Sequence, residues 1–164
     1  MIINGKTLLM AAPIRSMLEA KQRAHGVSHG LSEAGYDIRI KQAVKFVAAN
    51  SANPGGVWVD GVYAPGRFTL ASAIEEFDMP ANLVGIVHDK STWARQGLSV
   101  FNTVIEPGWR GFLTLELVYH GHGSLIIPAG AGIAQVIFHE TVMSASYDGK
   151  YQNQADMPVE AKHE

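Results

Sequence analysis

The sequence predicts a mainly β protein, a β-sandwich or barrel with one helix near its N-terminus. Turn-forming residues are frequent, with 17 glycines and 7 prolines among 164 residues, and many tight turns are typical of folds built from short strands. Runs with β-type alternation lie between these turns, whereas the N-terminal region has a helical repeat. Hydrophobic residues make up 47% of the chain, which is enough for one core. We therefore expect a single domain over residues 1–164.

The N-terminal helix is predicted from apolar residues with a spacing near 3.6 over residues 8–24. Pro13 limits where this helix begins, and the glycines of residues 26–30 end it. Residues 1–33 are therefore expected to form a helical segment.

The spacing of apolar residues changes from helical to alternating from Tyr36 onward, and short β-type runs follow one another. These runs are residues 36–40, 57–59, 68–71, 83–87, 111–119 and 133–139. A helical turn is expected at residues 91–96, and residues 124–138 have the pattern of two strands and a turn. Residues 144–164 form a polar tail in this interpretation.

Composition excludes several classes of function. Thirteen basic and 15 acidic residues give a net charge of -2, so a broad basic surface for nucleic acid is not expected. The chain has no cysteine, which excludes disulfides and thiolate-bound zinc. No apolar stretch is long enough to span a membrane, and residues 1–6 lack the pattern of a secretory signal. We expect a cytoplasmic protein without a membrane partner.

The segment from Lys90 to Arg95 is a candidate anion site. It follows an apolar strand and combines two cations with the hydroxyls of Ser91 and Thr92 at the start of a short helix. Backbone N–H groups at a helix start favour bound anions such as phosphates. The alternative is that Ser91 or Thr92 is an N-cap and that the cations are only solvated.

Glu116 interrupts an apolar strand and is a candidate acid/base. Strand alternation places Glu116 on the face of Thr114 and opposite Leu115 and Leu117. Burial of an unpaired carboxylate raises its pKa toward the range useful for proton transfer. The alternative is an exposed glutamate on the solvent face of the strand.

The other polar features favour structural roles. His120 and His122 are close in sequence, but no third ligand has a recognisable spacing, so we expect a surface turn and no metal site formed by protein ligands. Trp93 and Trp109 are expected to be core or interface aromatics. Trp109, which lies near Glu106 in the sequence, could also stack on a flat part of a ligand.

Several segments together resemble the dCTP deaminase branch of the dUTPase superfamily. The match is continuous over half of the chain and covers most of residues 34–154 in the right order. The segments are residues 34–37, 68–85, 90–98, 104–116, 132–135 and 150–154. The resemblance implies a dUTPase-like distorted β-barrel or β-sandwich of the β-clip type.

The resemblance also implies an activity and an assembly. The expected reaction is metal-independent deamination of dCTP to dUTP and ammonia, in a homotrimer whose sites lie between subunits. Glu116 matches the family's proton shuttle, and Ser91 matches the serine that holds the water and the leaving group. No cofactor is expected for deamination, although Mg²⁺ is expected to accompany the triphosphate.

Further residues are expected to bind substrate by the same resemblance. Lys90, Ser91, Thr92 and Arg95 match positions that contact the triphosphate, with Lys90 standing where the family has an arginine. The C-terminal tail is expected to close over the site, with Lys150, Tyr151 and Gln154 holding phosphates and base. The remaining expected contacts, near base and sugar, are Asn102, Thr103, Glu106 and Trp109, with Glu106 standing where the family has an aspartate.

Two alternatives stay open. Asn102 also resembles the uracil-reading asparagine of the dUTPase branch, so the protein could be a dUTP diphosphatase or a bifunctional enzyme. A bifunctional enzyme would need Glu116 for deamination and Glu106 for pyrophosphate cleavage. The second alternative is a non-catalytic nucleotide-binding regulator with the same fold.

Overall fold

A computed structural model describes residues 1–52 and 54–163 and has a mainly β architecture. The predicted fold class is confirmed. Among the described residues the strands form three sheets that pack in a sandwich-like manner, without a closed barrel. All strand pairs are antiparallel.

The elements follow one another along the chain with short connections. In order they are β1 (Ile2–Ile3), α1 (Gly5–Ala11), β2 (Lys21–Ala24), β3 (Val27–Leu31), β4 (Tyr36–Arg39), β5 (Val44–Val47), β6 (Gly56–Val59), β7 (Val62–Ala64), β8 (Phe68–Asp78), β9 (Leu83–Asp89), α2 (Ser91–Ala94), β10 (Leu98–Val100), β11 (Val104–Ile105), β12 (Arg110–Tyr119), β13 (Ser124–Ile127) and β14 (Gly132–Glu140).

The largest sheet has the order β11-β9-β14-β4-β3-β2, and β1 pairs with β14 as well. A second sheet has the order β10-β12-β8, and a third has the order β13-β5-β6-β7. The core lies between these sheets and contains apolar side chains from each of them. Its largest fully buried members include Tyr36, Phe46, Phe77 and Phe138.

The predicted N-terminal helix is wrong beyond Ala11. Helix α1 ends where Ala12 adopts a left-handed conformation (φ 46°), and Pro13 follows it. Ile14 then forms a bridge with Phe77 of β8, so its apolar side chain is buried by a strand far away in the sequence. Residues 1–33 are thus a mixed segment of strands and one short helix.

The end of the predicted helix is a β-hairpin. Strands β2 and β3 pair from Lys21↔Gly30 to Ala24↔Val27. His25 and Gly26 connect them with φ of 54° and 77°, which are the two positive values that a tight two-residue hairpin turn requires. Gly26 therefore belongs to a hairpin turn and does not end a helix.

Five of the six predicted β-type runs lie in strands, and the run at residues 36–40 extends one residue beyond β4. Residues 124–138 form two strands, as predicted. The helical turn expected at residues 91–96 is α2. Other strands were not predicted because they are short or lack alternation, as in the exposed β7 and the polar β2. Within the described part of the chain, no helix has the length and apolar character needed to cross a membrane.

The close approach of β14 to β3 gives a test of the packing. A Cβ atom at Gly132 would lie 2.0 Å from the backbone oxygen of Ser28, whereas a Cβ at Gly123 would meet nothing within 4 Å. Because a backbone atom cannot move aside, we expect Gly132→Ala to lower the free energy of unfolding by about 1–3 kcal/mol. Urea denaturation measures this loss, and Gly123→Ala is the matched control. Equal losses in the two variants would contradict the predicted close contact.

Candidate active site

A cavity of about 510 Å³ lies between strands β8, β11 and β12 and the C-terminal tail. Strand β12 turns its Leu115 and Leu117 side chains into the core, where both are at most 1% exposed. The alternate residues Thr114 and Glu116 line the cavity. Burial of the two leucines in the core thus determines that the opposite face of β12 lines the cavity.

Glu116 has the environment of an acid/base group. Its side chain is half-buried, and its Oε2 atom is fully buried without a hydrogen-bond partner in the described structure. Burial raises the pKa of this carboxyl above its ordinary value. The structure therefore places Glu116 in the cavity and not on the solvent face of the strand, and its role as acid/base stays a prediction. A carboxyl with a raised pKa holds its proton more readily than an exposed one, which suits a group that takes up and releases protons.

The cavity walls are aromatic and acidic. Trp109, Tyr147 and Tyr151 line it together with the carboxylates of Glu106 and Glu160. Flat apolar surfaces suit a base and a sugar, whereas three carboxylates repel phosphates at close range. The cavity is therefore suited to the uncharged part of a nucleotide.

The C-terminal tail forms one side of this cavity. The indole nitrogen of Trp109 donates a hydrogen bond of 2.7 Å to the backbone oxygen of Tyr151. Gln154 forms a parallel bridge with Gly111, and its side-chain amide bonds to the Thr114 hydroxyl. The structure thus brings Tyr151 and Gln154 to the cavity of Glu116. Their roles in binding stay predictions.

The predicted anion segment lies outside the cavity lining. Ser91, Thr92 and Arg95 are exposed at helix α2, and none of them lines the cavity of Glu116. Lys90 is the N-cap residue of this four-residue helix and makes no side-chain cap. The alternative in which Ser91 or Thr92 is the N-cap is therefore wrong.

Lys90 is held in a buried ion pair. Its ammonium lies 2.5 Å from Oδ2 of Asp37 and 2.9 Å from Oγ of Ser28. The Lys90 and Asp37 side chains are 11% and 4% exposed. Two of the three ammonium donors are therefore engaged within the chain, and one is left for another acceptor.

Only some of the remaining predicted site residues line the cavity of Glu116. Thr103, Glu106 and Trp109 line the cavity, whereas Asn102 and Lys150 do not. Asn102 lies 3.5 Å from the Nδ1 atom of His88. The ammonium of Lys150 lies 5.7 Å above the ring of Tyr151.

The two tryptophans make structural contacts, and Trp109 also lines the cavity. Trp93 is buried and its indole nitrogen donates to the Gly132 carbonyl, and Trp109 packs near Phe77. His120 and His122 lie in the exposed turn between β12 and β13, as predicted. Over residues 1–52 and 54–163, we find no group of three or more histidine or acidic side chains positioned to hold a metal ion.

Sequence reasoning missed part of the cavity wall. Tyr147, Val159 and Glu160 line it, although the polar tail has no periodicity that indicates a buried face. Strand alternation predicts Thr114 on the face of Glu116 but does not predict its contact with the tail. Asp37 lies in one of the matching segments, but its pairing with Lys90 connects residues 53 positions apart, which no local pattern reveals.

The environment of Glu116 predicts a pH-dependent effect on stability. A raised pKa in the folded state means that folding favours the protonated carboxyl, so this contribution is lost as the pH rises through the folded pKa. Gln cannot ionise. We therefore expect the stability of Glu116→Gln relative to the native protein to increase from about pH 4 to about pH 7, measured by urea unfolding. The exposed Glu140, as Glu140→Gln, is the control, and parallel curves for all three proteins would contradict the burial of this carboxylate.

Comparison with known proteins agrees with the motifs and the fold. The chain matches the family model described as dCTP deaminase-like over residues 59–141. It is 38% identical to the dCTP deaminase of Herpetosiphon aurantiacus, with 89% of each chain covered.

Two solved structures share the fold at low sequence identity. The 2'-deoxycytidine 5'-triphosphate deaminase of Agrobacterium tumefaciens has a TM-score of 0.56 at 16% identity and covers 85% of this chain and 48% of its own. The EIAV dUTPase has a TM-score of 0.52 at 16% identity and covers 85% and 92%. These likenesses show the fold, and the family follows from the sequence matches: the chain belongs to the dCTP deaminase family.

Proposed function

We propose that this protein hydrolyses dCTP to dUTP and ammonia without a catalytic metal. The observation that carries the proposal is the buried, unpartnered Oε2 atom of Glu116 in a cavity of suitable size. The relatives named dCTP deaminase have 34–38% identity to the chain, which supports the same substrate.

Glu116 supplies the proton transfers that the reaction needs. Water is a weak nucleophile, so the ionised carboxylate takes one of its protons while the oxygen adds to C4 of cytosine. The protonated carboxyl then returns that proton to the ring, at N3, or to the amine. The carboxylate then takes the second proton from the C4 hydroxyl and delivers it to whichever of N3 and the amine has not yet received one, so that the C4–N bond breaks, ammonia leaves and the carbonyl of uracil forms. Ser91 orients the water and the leaving group.

A homotrimer with shared sites accounts for the separation of the two groups of residues. Within one chain, the cavity has Glu116 but not Ser91 or Arg95. A neighbouring subunit that presents its α2 segment to the cavity mouth brings hydroxyls and cations to a site that otherwise holds carboxylates. The triphosphate then lies on the neighbour's segment, accompanied by Mg²⁺, while the base enters the cavity.

The direct test follows ammonia and dUTP after incubation of the pure protein with dCTP. We expect turnover by the native protein, and we expect Glu116→Gln to lose at least about 100-fold in kcat because it removes general acid/base transfer while its affinity for dCTP remains. Turnover at the native rate by the variant would show that Glu116 is not the proton shuttle. Lack of dCTP turnover by the native protein would overturn the function.

The same assay distinguishes the other candidate activities. Glu106 lines the same cavity as Glu116, which favours a dUTP diphosphatase activity as the second candidate. Pyrophosphate released from dUTP in the presence of Mg²⁺ would support that activity, alone or in addition to deamination. Binding of dCTP without turnover of either nucleotide would support a regulator.

Mixed trimers test whether the sites are shared. Ser91→Ala and Glu116→Gln should each be inactive as homotrimers. Co-refolding equal amounts should restore up to about one quarter of the native activity, because about one site in four then has a native Glu116 and a neighbour's native Ser91. The measurement is ammonia release before and after mixing. If mixing restores nothing while each variant still forms trimers, both residues act within one chain.

A further inference from the structure

The last part of the tail completes the cavity. Residues 155–162 follow the tail positions that resemble the family, and they lie outside the matched residues 59–141. Even so, Val159, Glu160 and Ala161 form part of the wall of the cavity that Glu116 lines. The path of this segment over the cavity therefore needs its own explanation.

Hydrogen bonds hold the segment at two places, one on strand β12 and one within the tail. The backbone N–H of Val159 donates 3.0 Å to the hydroxyl oxygen of Thr114 on β12. The backbone N–H of Lys162 donates 3.1 Å to the hydroxyl of Tyr151, and the Lys162 ammonium donates 2.8 Å to the Lys150 carbonyl. The Lys162 bonds join the tail to itself, so they shape it without attaching it to the body of the protein.

The attachment at the start of the segment is an ion pair. The Lys41 ammonium contacts the Asp156 carboxylate and lies 3.2 Å from the Asp156 backbone oxygen. The two side chains are 41% and 48% exposed, and neither lines the cavity. This pair connects the tail to the loop between β4 and β5.

Lys41 has a rigid base in that loop. Its backbone N–H donates 2.8 Å to the Ser72 carbonyl of β8. The next residue, Gln42, is buried and bonds through its amide to the Ser72 backbone and hydroxyl. One half of the ion pair is therefore fixed to the central sheets, while the other half lies on the tail.

We propose that Lys41 and Asp156 are positioning residues that form a latch, which holds residues 156–162 against the cavity and so retains the nucleotide there. The latch deepens the proposed function and rests on it for the identity of the ligand. Neither residue reaches the reacting atoms. Weakening the latch therefore raises KM for dCTP and leaves kcat almost unchanged.

Single charge reversals separate a latch from electrostatic attraction of the substrate. Lys41→Asp makes the region more negative and Asp156→Lys makes it more positive, so simple attraction of a triphosphate would shift KM in opposite directions. The latch predicts that both raise KM, by about two- to fivefold for a half-exposed pair. The exchanged pair K41D/D156K should return KM to within about twofold of the native value.

Charge reversals at two exposed residues outside any ion pair of the described structure serve as matched controls. Lys45→Asp and Glu140→Lys introduce the same charge changes at exposed residues for which the described structure shows no ion pair. We expect both to leave KM within about twofold of the native value. Opposite shifts of KM in Lys41→Asp and Asp156→Lys, or no rescue by the exchanged pair, would overturn the latch.

Hydrogen exchange tests the latch without catalysis. Measured by mass spectrometry on the nucleotide-free protein, residues 156–162 should exchange faster in each single variant and at the native rate in the exchanged pair. If exchange follows this pattern but the native protein turns over no nucleotide, the latch is supported and the proposed function is contradicted. Unchanged exchange and unchanged KM in active single variants would remove the latch and leave the function.

Discussion

The pairing of β12 with β8 determines where the carboxylate of Glu116 points. The ladder extends from Arg110↔Asp78 to Val118↔Phe68, and its core face must bury Leu115 and Leu117. A one-residue slip would expose these leucines and bury the carboxylate in the core. The register that satisfies the core is therefore also the register that places Glu116 in the cavity.

An irregularity in this ladder, between Phe112 and Thr114, lies where the tail docks. Bulges bend a strand and redirect its side chains. Thr114 follows the irregularity and accepts the Val159 N–H, while Gly111 precedes it and bridges Gln154. The tail thus meets β12 on both sides of the point where regular pairing is interrupted.

Two buried ion pairs, of which Arg39–Glu75 joins two sheets, limit what the cationic residues can do. Glu75 of β8 accepts bonds of 2.8 Å from both the backbone and the guanidinium of Arg39, and Asp37 holds Lys90. Removing one partner of such a pair leaves an uncompensated buried charge, which costs about 3–5 kcal/mol. Lys90 is therefore a fixed point charge whose position the fold sets, and Arg95 is the more exposed cation of this segment.

Sequence patterns predicted the features that depend on neighbouring residues along the chain. The alternation of β12 and the orientation of Glu116 followed from the sequence, because the side-chain period of a strand is two. The helix over residues 8–24 failed because Ile14 is buried by Phe77, 63 positions away. The sequence did not predict the tail residues of the cavity wall for the same reason. Val159 is held at the cavity by a hydrogen bond from its backbone to Thr114 on a strand distant in the sequence.

The cavity must meet two requirements that oppose each other. Glu116 keeps its raised pKa only while water is excluded from its surroundings, yet hydrolysis needs one water beside the same carboxylate. Under the proposed function, a wall built partly from a docked tail meets both requirements, because such a tail would admit the nucleotide when open and exclude bulk water when docked. The acidic lining adds a further constraint, since it favours the base inside and leaves the phosphates at the mouth. In the proposed trimer a neighbouring subunit supplies cations there, which would link the proposed deamination to assembly of the chain.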